Sequence, residues 1–396
     1  MSFKELKNNI FYLGSQDPDR KLFDQLIPLP DGTSYNVYLI KGSEKIALVD
    51  TVYPAKINEL TSKLKESNMK IDYIISNHAE QDHSGAIPKV LELYPDARVV
   101  TNAKCKALIK DMLLVEEDKF IEIKDGETLS LGDKTVKFIM APWVHWPDTM
   151  FSYVIEDKIL FTGDFLGSHI AGDDLFVVDE QKIYTGAKRY YAEIMMPFRN
   201  HIKKHLEKIS MLDVDMIAPS HGPVYQNPKF ILDAYKDWSS DNVKNEVLIA
   251  YVSMYESTRK MVDYLANKLS QKGVTVKAYD LIETDIGEVA MGLVDPATVV
   301  LASPMVLAGL HPNVAYAAYL VNALKPKFKF VSVIGSYGWG GNMTEQLKTM
   351  MNAVKPEFID PVLVKGYPVE EDFRLLDKLA ENIYEKHQAL ADTTLK

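Results

Sequence analysis

The sequence predicts an α/β chain in two halves: a strand-rich sandwich, then an open, doubly wound parallel sheet. Three observations carry this. First, the 396 residues, 47% of them hydrophobic, exceed one ordinary core and supply material for two. Second, from residue 246 onward apolar strands alternate with helical spacings, the pattern of parallel strands joined by crossover helices. Third, before residue 246 several short β-branched runs are each followed at once by His, Asp or Glu. Loops at strand ends are where a rigid scaffold positions chemistry.

In the first half, residues 9–13 and 35–40 read as strands, joined by a turn with Pro and Gly near 28–32. Residues 45–50 form another strand, ending in Asp50 and Thr51, and residues 55–66 have helical spacing. The run Ile71-Asp72-Tyr73-Ile74-Ile75 reads as a buried strand. It leads into Asn77-His78-Ala79-Glu80-Gln81-Asp82-His83-Ser84-Gly85. Pro88 opens a helix over 87–93, and residues 98–101 and 119–122 read as strands.

Three later strands repeat the arrangement. The strand 136–140 precedes Trp143-Val144-His145-Trp146, the strand 158–162 precedes Gly163-Asp164, and the strand 215–218 precedes Ser220-His221-Gly222. His78, Glu80, Asp82, His83, His145, Asp164 and His221 are therefore expected to meet at one edge of the sandwich. A mixed imidazole and carboxylate set suits iron, manganese or zinc. His201 and His205 share a helix face, but the neighbouring lysines read as a solvated surface. Residues 238–242, Trp238 to Asn242, read as a polar linker, which divides the chain into domains 1–245 and 246–396.

In the second half the first strand ends in Ser253-Met254-Tyr255-Glu256-Ser257-Thr258, which opens a helix. Hydroxyls and backbone N–H groups at a helix N-terminus bind anions. The stretch lacks the lysine of a P-loop and the glycine pattern of a dinucleotide site, which favours a mononucleotide phosphate. Two further strand-end loops join it: Ser303-Pro304-Met305, running on to Asn313, and Ser336-Tyr337-Gly338-Trp339-Gly340. In such sheets ligands bind beyond the strand carboxyl ends at the topological switch point. Glycines admit a flat ring close to the backbone, and Tyr255, Tyr337 and Trp339 offer faces for stacking. A phosphate loop with two aromatic and glycine-rich loops is what FMN requires.

Composition excludes several classes. The net charge of −10 argues against a nucleic-acid or anionic-membrane partner. One cysteine, Cys105, excludes a disulfide framework, an Fe–S cluster and a cysteine-ligated iron site within the chain. No apolar run reaches membrane-span length and the first residues have no signal-peptide core, so a cytoplasmic protein is expected.

On the motif His78-x-Glu80-x-Asp82-His83, with His145, Asp164 and His221 following in order, the whole chain resembles the flavodiiron proteins. The resemblance implies a metallo-β-lactamase-like αββα sandwich followed by a flavodoxin-like domain. It also implies two cofactors, FMN and a pair of non-haem irons. One iron would be held by His78, Glu80 and His145, the other by Asp82 and His221, with Asp164 bridging. His83 is left open between ligand and catalytic neighbour. Tyr191 matches a tyrosine near the metals, and Trp146 is expected to shape the pocket. The chain reads as the minimal two-domain form. Its expected reaction is reduction of dioxygen to water, of nitric oxide to nitrous oxide, or both. The electron donor would be a rubredoxin-like protein or a reduced deazaflavin. A head-to-tail homodimer, or a dimer of such dimers, would bring the flavin of one subunit to the metals of another. The competing readings are a binuclear zinc hydrolase of the same fold and a flavin electron carrier with a structural metal site. Glu80, where the hydrolases have histidine, and the FMN-type half speak against the hydrolase.

Overall fold

Alternation of side chains along a few short strands builds the first unit. The computed structural model describes residues 3–394, with side chains through 391. A mixed sheet runs in the order Lys4–Lys7, Ile10–Tyr12, Tyr38–Lys41, Ile46–Val49, Tyr73–Ile75, Arg98–Thr101, Phe120–Glu122. Its pairings are antiparallel as far as Ile46–Val49 and parallel beyond. Successive residues of a strand face opposite sides. Accordingly Ile40, Val49, Ile75 and Val100 enter the core shared with the second sheet. Their neighbours Leu39, Leu48, Ile74 and Val99 pack on the other face with Leu60, Leu64, Ile87 and Ile109 of three helices.

The second sheet runs Thr128–Ser130, Thr135–Met140, Met150–Val154, Ile159–Gly163, Met216–Pro219. Val136, Phe138, Val154 and Phe161 complete the core between the sheets. On its outer face Phe151 stacks on Phe165 at 5.6 Å, and Phe165 meets Tyr235 of helix Pro228–Ser239 at 5.3 Å. The result is an αββα sandwich. Trp238 lies in the expected linker by sequence, yet it is fully buried against Tyr191 and Tyr235. An apolar helix stripe extends to residue 239, so the polar stretch Ser239-Ser240-Asp241 misleads about where the helix ends. The compact units divide there: residues 1–191 with 198–239, and residues 192–197 with 240–396. His205 also differs from expectation. It is buried, with Nε2 2.9 Å from the Pro142 carbonyl.

The second unit is a parallel sheet in the order Thr275–Asp280, Lys244–Tyr251, Pro296–Val306, Phe330–Tyr337, with Val362–Lys365 on the last strand. The chain reverses its winding between Lys244–Tyr251 and Pro296–Val306, which opens a crevice at their carboxyl ends. At the opposite ends, His387 bridges helix Glu370–Thr394 to the sheet. Its Nδ1 is 2.8 Å from Asn245 Oδ1 and its Nε2 is 2.8 Å from Thr298 Oγ1. Asn245 Nδ2 donates to the Gly273 carbonyl, which fixes Oδ1 as the acceptor for His387. The imidazole thus donates at Nδ1, and in the neutral ring Nε2 accepts from the Thr298 hydroxyl.

Burial pushes the His387 pKa down to about 4, below its value of about 6.5 in an unfolded chain. The unfolded chain therefore takes up the proton first as pH falls. The stabilisation is complete above about pH 6.5 and is lost as pH falls through about 4. Thermal unfolding of wild type should show this loss, and His387→Gln should show a flatter profile between these values. Identical profiles would contradict the assignment.

Candidate metal centre and flavin pocket

Strands from both sheets deliver the ligand-type residues from their carboxyl ends. His78 and Glu80 follow Tyr73–Ile75, and the short helix Gln81–Ser84 carries Asp82 and His83. His145 follows Thr135–Met140, Asp164 follows Ile159–Gly163, and His221 follows Met216–Pro219. Three groups of potential ligand atoms converge, each with its atoms within 4.8 Å: His78, Glu80, His145 and Asp164; His78, Asp82 and His83; His83, Asp164 and His221.

Asp164 sits at the middle, and its two oxygens face different partners. Oδ2 is 3.1 Å from His78 Nε2 and 3.1 Å from His145 Nε2. Oδ1 is 2.8 Å from His83 Nε2 and 3.4 Å from His221 Nε2. Glu80 Oε2 adds contacts at 3.1 Å to His145 and 3.5 Å to His78. Asp82 Oδ2 lies 3.1 Å from His83 and 3.2 Å from His221. Despite this closeness, Nε2 of His78, His83 and His221, both Asp82 oxygens and Asp164 Oδ1 satisfy no hydrogen-bond geometry with any of the described residues. Buried polar atoms without partners are costly. These atoms are aimed at a common space instead of at one another, as a cation between them requires.

Electrostatics agrees with that reading. Burial works against charge on Glu80, Asp82, Asp164, His78, His83 and His145, yet the neighbours of opposite sign prevail. The carboxyls of Glu80, Asp82 and Asp164 are held below the usual range by the adjoining imidazoles. Asp82 and Asp164 raise the His83 pKa to about 10, and Asp164 and Glu80 raise that of His145 to about 9. Asp164 and Glu80 likewise raise His78 well above its ordinary value. The pocket is built to hold positive charge, whether as protons or as metal.

Residues behind the ligands fix the loops. Asp50 accepts from the Asn77 backbone N–H at 2.8 Å, from Asn77 Nδ2 at 3.0 Å and from Ser220 Oγ at 3.2 Å. One buried carboxylate thus ties the residue before His78 to the residue before His221. Thr51 binds the His83 carbonyl through its N–H at 2.6 Å and its hydroxyl at 2.7 Å. Asp148 accepts from the Ala79 N–H at 2.8 Å. Gly222 has φ +78°, and a Cβ there would stand 2.2 Å from Ser168 Oγ, so the turn after His221 admits only glycine. Asp50→Ala leaves buried donors unpaired at about 1–3 kcal/mol each. It should also weaken metal retention by about 10- to 100-fold, as loss of an outer partner does elsewhere. Chelator-challenged metal content and denaturant unfolding check this; wild-type retention would contradict it.

In the second unit a cavity of about 270 Å³ opens at the crevice. Met254, Tyr255, Ser257 and Thr258 line one side, Pro304 and Met305 another, and Ser336, Tyr337 and Gly338 a third. Ser257 and Thr258 begin the 15-residue helix Ser257–Gln271, and Thr258 Oγ1 lies 3.1 Å from Ser336 Oγ. Backbone N–H groups and buried hydroxyls at a helix start fit a phosphate.

A family model described as ODP family beta lactamase matches residues 33–222. Nitric oxide reductase of Moorella thermoacetica is 36% identical over 388 residues, covering 96% of this chain and 97% of that one. A flavo-diiron protein of Clostridium acetobutylicum is 30% identical over 392 residues, covering 96% and 98%. The chain belongs to the flavodiiron protein family. Among solved structures, rubredoxin oxygen:oxidoreductase from Desulfovibrio gigas superposes with a TM-score of 0.94 at 28% identity, covering 98% of this chain and 99% of that one. The two folded units are the metallo-β-lactamase-like and flavodoxin-like parts of a flavodiiron protein.

All seven ligand-type residues expected from the flavodiiron motif are brought together, His83 included. Trp146 lies against two of them, with ring centroids 6.3 Å from His78 and 6.4 Å from His145. Tyr191 differs from expectation: its hydroxyl donates to the Trp238 carbonyl at 3.1 Å, and its ring packs on Tyr235 and Trp238. The neighbouring Tyr190 is the one turned to the ligands, 6.0 Å from the His221 ring. Consecutive helical residues point about 100° apart, so a Tyr-Tyr pair leaves open which one faces the site. In the flavin loops, Ser253, Glu256, Ser303, Asn313, Trp339 and Gly340 fall outside the cavity lining, whereas Gly366 joins it. Ser253 Oγ accepts from Arg259 N–H, and Asn313 Nδ2 donates to the Leu281 carbonyl. Trp339 is 73% exposed. Asp50, Thr51, Asp148 and Gly366 went unread as site residues. Asp50 and Thr51 directly follow the strand Ile46–Val49 that pairs beside Tyr73–Ile75, and that position was the available signal.

Proposed function

We propose that the chain is an oxidoreductase that reduces dioxygen to water, nitric oxide to nitrous oxide, or both. The reaction runs at a non-haem diiron site, with electrons passing through FMN from an external donor. The carrying observation is the buried donor set, in which Nε2 of His78, His83 and His221, both Asp82 oxygens and Asp164 Oδ1 face a shared space with no hydrogen-bond partner among the described residues. Four imidazoles and three carboxylates suit iron that cycles between ferrous and ferric. In this reading His78, Glu80 and His145 would hold one iron and Asp82 and His221 the other, with Asp164 shared between them and His83 completing or adjoining the second.

When bound, the two irons and FMN together supply the reducing equivalents and an open metal position for the gas. The chain's residues set the conditions. Three carboxylates offset the charge of the ions, and Asp50, Thr51 and Asp148 hold the ligand loops in place. Trp146, Phe23 and Tyr190 wall the ligands with aromatic surface, which limits water. The start of helix Ser257–Gln271, with Ser257 and Thr258, would hold the FMN phosphate.

The metals are assigned to the first unit and the flavin to the second, whose first strand, Lys244–Tyr251, begins just before the expected boundary between 245 and 246. The donor is a rubredoxin-like protein or a reduced deazaflavin, the assembly a head-to-tail homodimer, and the location the cytoplasm. Among the described residues no helix is long and apolar enough to cross a membrane. The redox names of the relatives, together with Glu80 and the second-unit cavity, favour this reading over a zinc hydrolase. Reduced protein given nitric oxide or dioxygen should consume at least one gas, with nitrous oxide or water formed; consumption of neither would contradict the reading.

A further inference from the structure

One imidazole outside the ligand set packs directly on it. The ring of His169 lies 4.7 Å from that of His221, 4.7 Å from Phe23 and 4.8 Å from Tyr190. His169 is 8% exposed, and its Nε2 has no hydrogen-bond partner among the described residues. Its Nδ1 is 2.9 Å from Thr33 Oγ1. Thr33 Oγ1 is in turn 3.3 Å from His221 Nδ1, which lies 2.5 Å from the Ser34 carbonyl.

The direction of these bonds follows from His221. Its Nε2 is the nitrogen that faces Asp82 and Asp164. A cation there takes the Nε2 lone pair, so the ring proton sits on Nδ1. That N–H donates to the Ser34 carbonyl and is shared with the Thr33 oxygen, a three-centre bond. The Thr33 hydroxyl has two acceptors in reach, the Ser34 carbonyl at 3.4 Å and His169 Nδ1 at 2.9 Å; the shorter contact assigns its hydrogen to His169 while its oxygen accepts from His221. His169 must offer a lone pair at Nδ1, which requires a neutral ring with its proton on Nε2. Only His, Asn or another acceptor at position 169 can end this chain.

We propose that His169 is a positioning residue for His221: it fixes the Thr33 hydroxyl, which with the Ser34 carbonyl sets the tautomer and ring plane that present His221 Nε2 to the metals. The inference rests on the diiron reading. It adds a residue with no place among the ligands and assigns it to the Asp82 and His221 side of the centre.

The test compares wild type with His169→Phe, His169→Asn, Thr33→Val and the double variant with Phe and Val. Each is loaded with ferrous iron, challenged anaerobically with a ferrous chelator and examined by EPR in the mixed-valence state. Phe keeps the ring volume and removes the acceptor, whereas the Asn carbonyl restores an acceptor. His169→Phe and Thr33→Val should each weaken retention of one iron by about 10- to 100-fold, with the same change in EPR signal. His169→Asn should stay close to wild type, and the double variant should be no worse than Thr33→Val, since both break one chain. FMN content should not change. Wild-type retention and spectrum in His169→Phe, or additive losses in the double variant, would overturn the positioning role and leave the diiron reading standing. A wild type that takes up no iron would overturn both.

Discussion

Asp164→Ala should empty both sides of the metal centre, abolish gas reduction and leave FMN in place. Its Oδ2 serves the His78 and His145 side and its Oδ1 the His83 and His221 side, at 2.8–3.4 Å. Among the described residues the other two carboxylates of the set each contact one side only, Glu80 the first and Asp82 the second. Glu80 reaches only His78 and His145, so Glu80→Ala should loosen one iron more than the other. Loss of an outer partner already weakens metal binding by about 10- to 100-fold, and loss of a shared ligand should exceed that. The metal-free protein should suffer as well. Removing the anion from four closely packed imidazoles breaks a buried charge set, which typically costs about 3–5 kcal/mol. Iron analysis after gel filtration and denaturant unfolding read the two effects. Two irons per chain in Asp164→Ala would refute the bridging role.

Ser257→Asp should remove FMN with little harm to the fold. Position 257 is the first residue of helix Ser257–Gln271, and it lines the cavity. A carboxylate in a first helical turn normally stabilises by about 0.3–1 kcal/mol through the helix dipole. The same charge would occupy the N–H groups meant for the phosphate and repel it. Losing a charge-assisted bond costs about 1.5–3 kcal/mol, so affinity should fall by about 10- to 100-fold before repulsion is added. Flavin fluorescence titration of the apoprotein measures the affinity, and thermal unfolding without flavin checks the fold. Unchanged FMN affinity would place the phosphate elsewhere.

The metal centre was legible because its residues follow apolar strands at short spacing. His78 to His83 lie in one hexapeptide, and His145, Asp164 and His221 each follow a strand end. The second half was legible through its strand and helix alternation, which requires a parallel sheet. What stayed hidden depends on three-dimensional facing. Tyr190 and Tyr191 are chemically identical neighbours, and only helix rotation selects the one near His221. Trp238 looks like linker until its burial against Tyr235 is seen. Asp50 joins Asn77 and Ser220, which are distant in sequence, and the Thr33 to His169 contact spans 136 positions. The exposed Trp339 carries the residue type for flavin stacking, but type alone does not bring it into the cavity lining.

The most direct test is iron and flavin content of anaerobically purified protein, followed by rapid mixing of its fully reduced form with dioxygen and with nitric oxide. The account predicts about two irons and one FMN per chain, with fast reoxidation of flavin by at least one gas. Zinc without flavin, and no reoxidation after iron reconstitution, would contradict it.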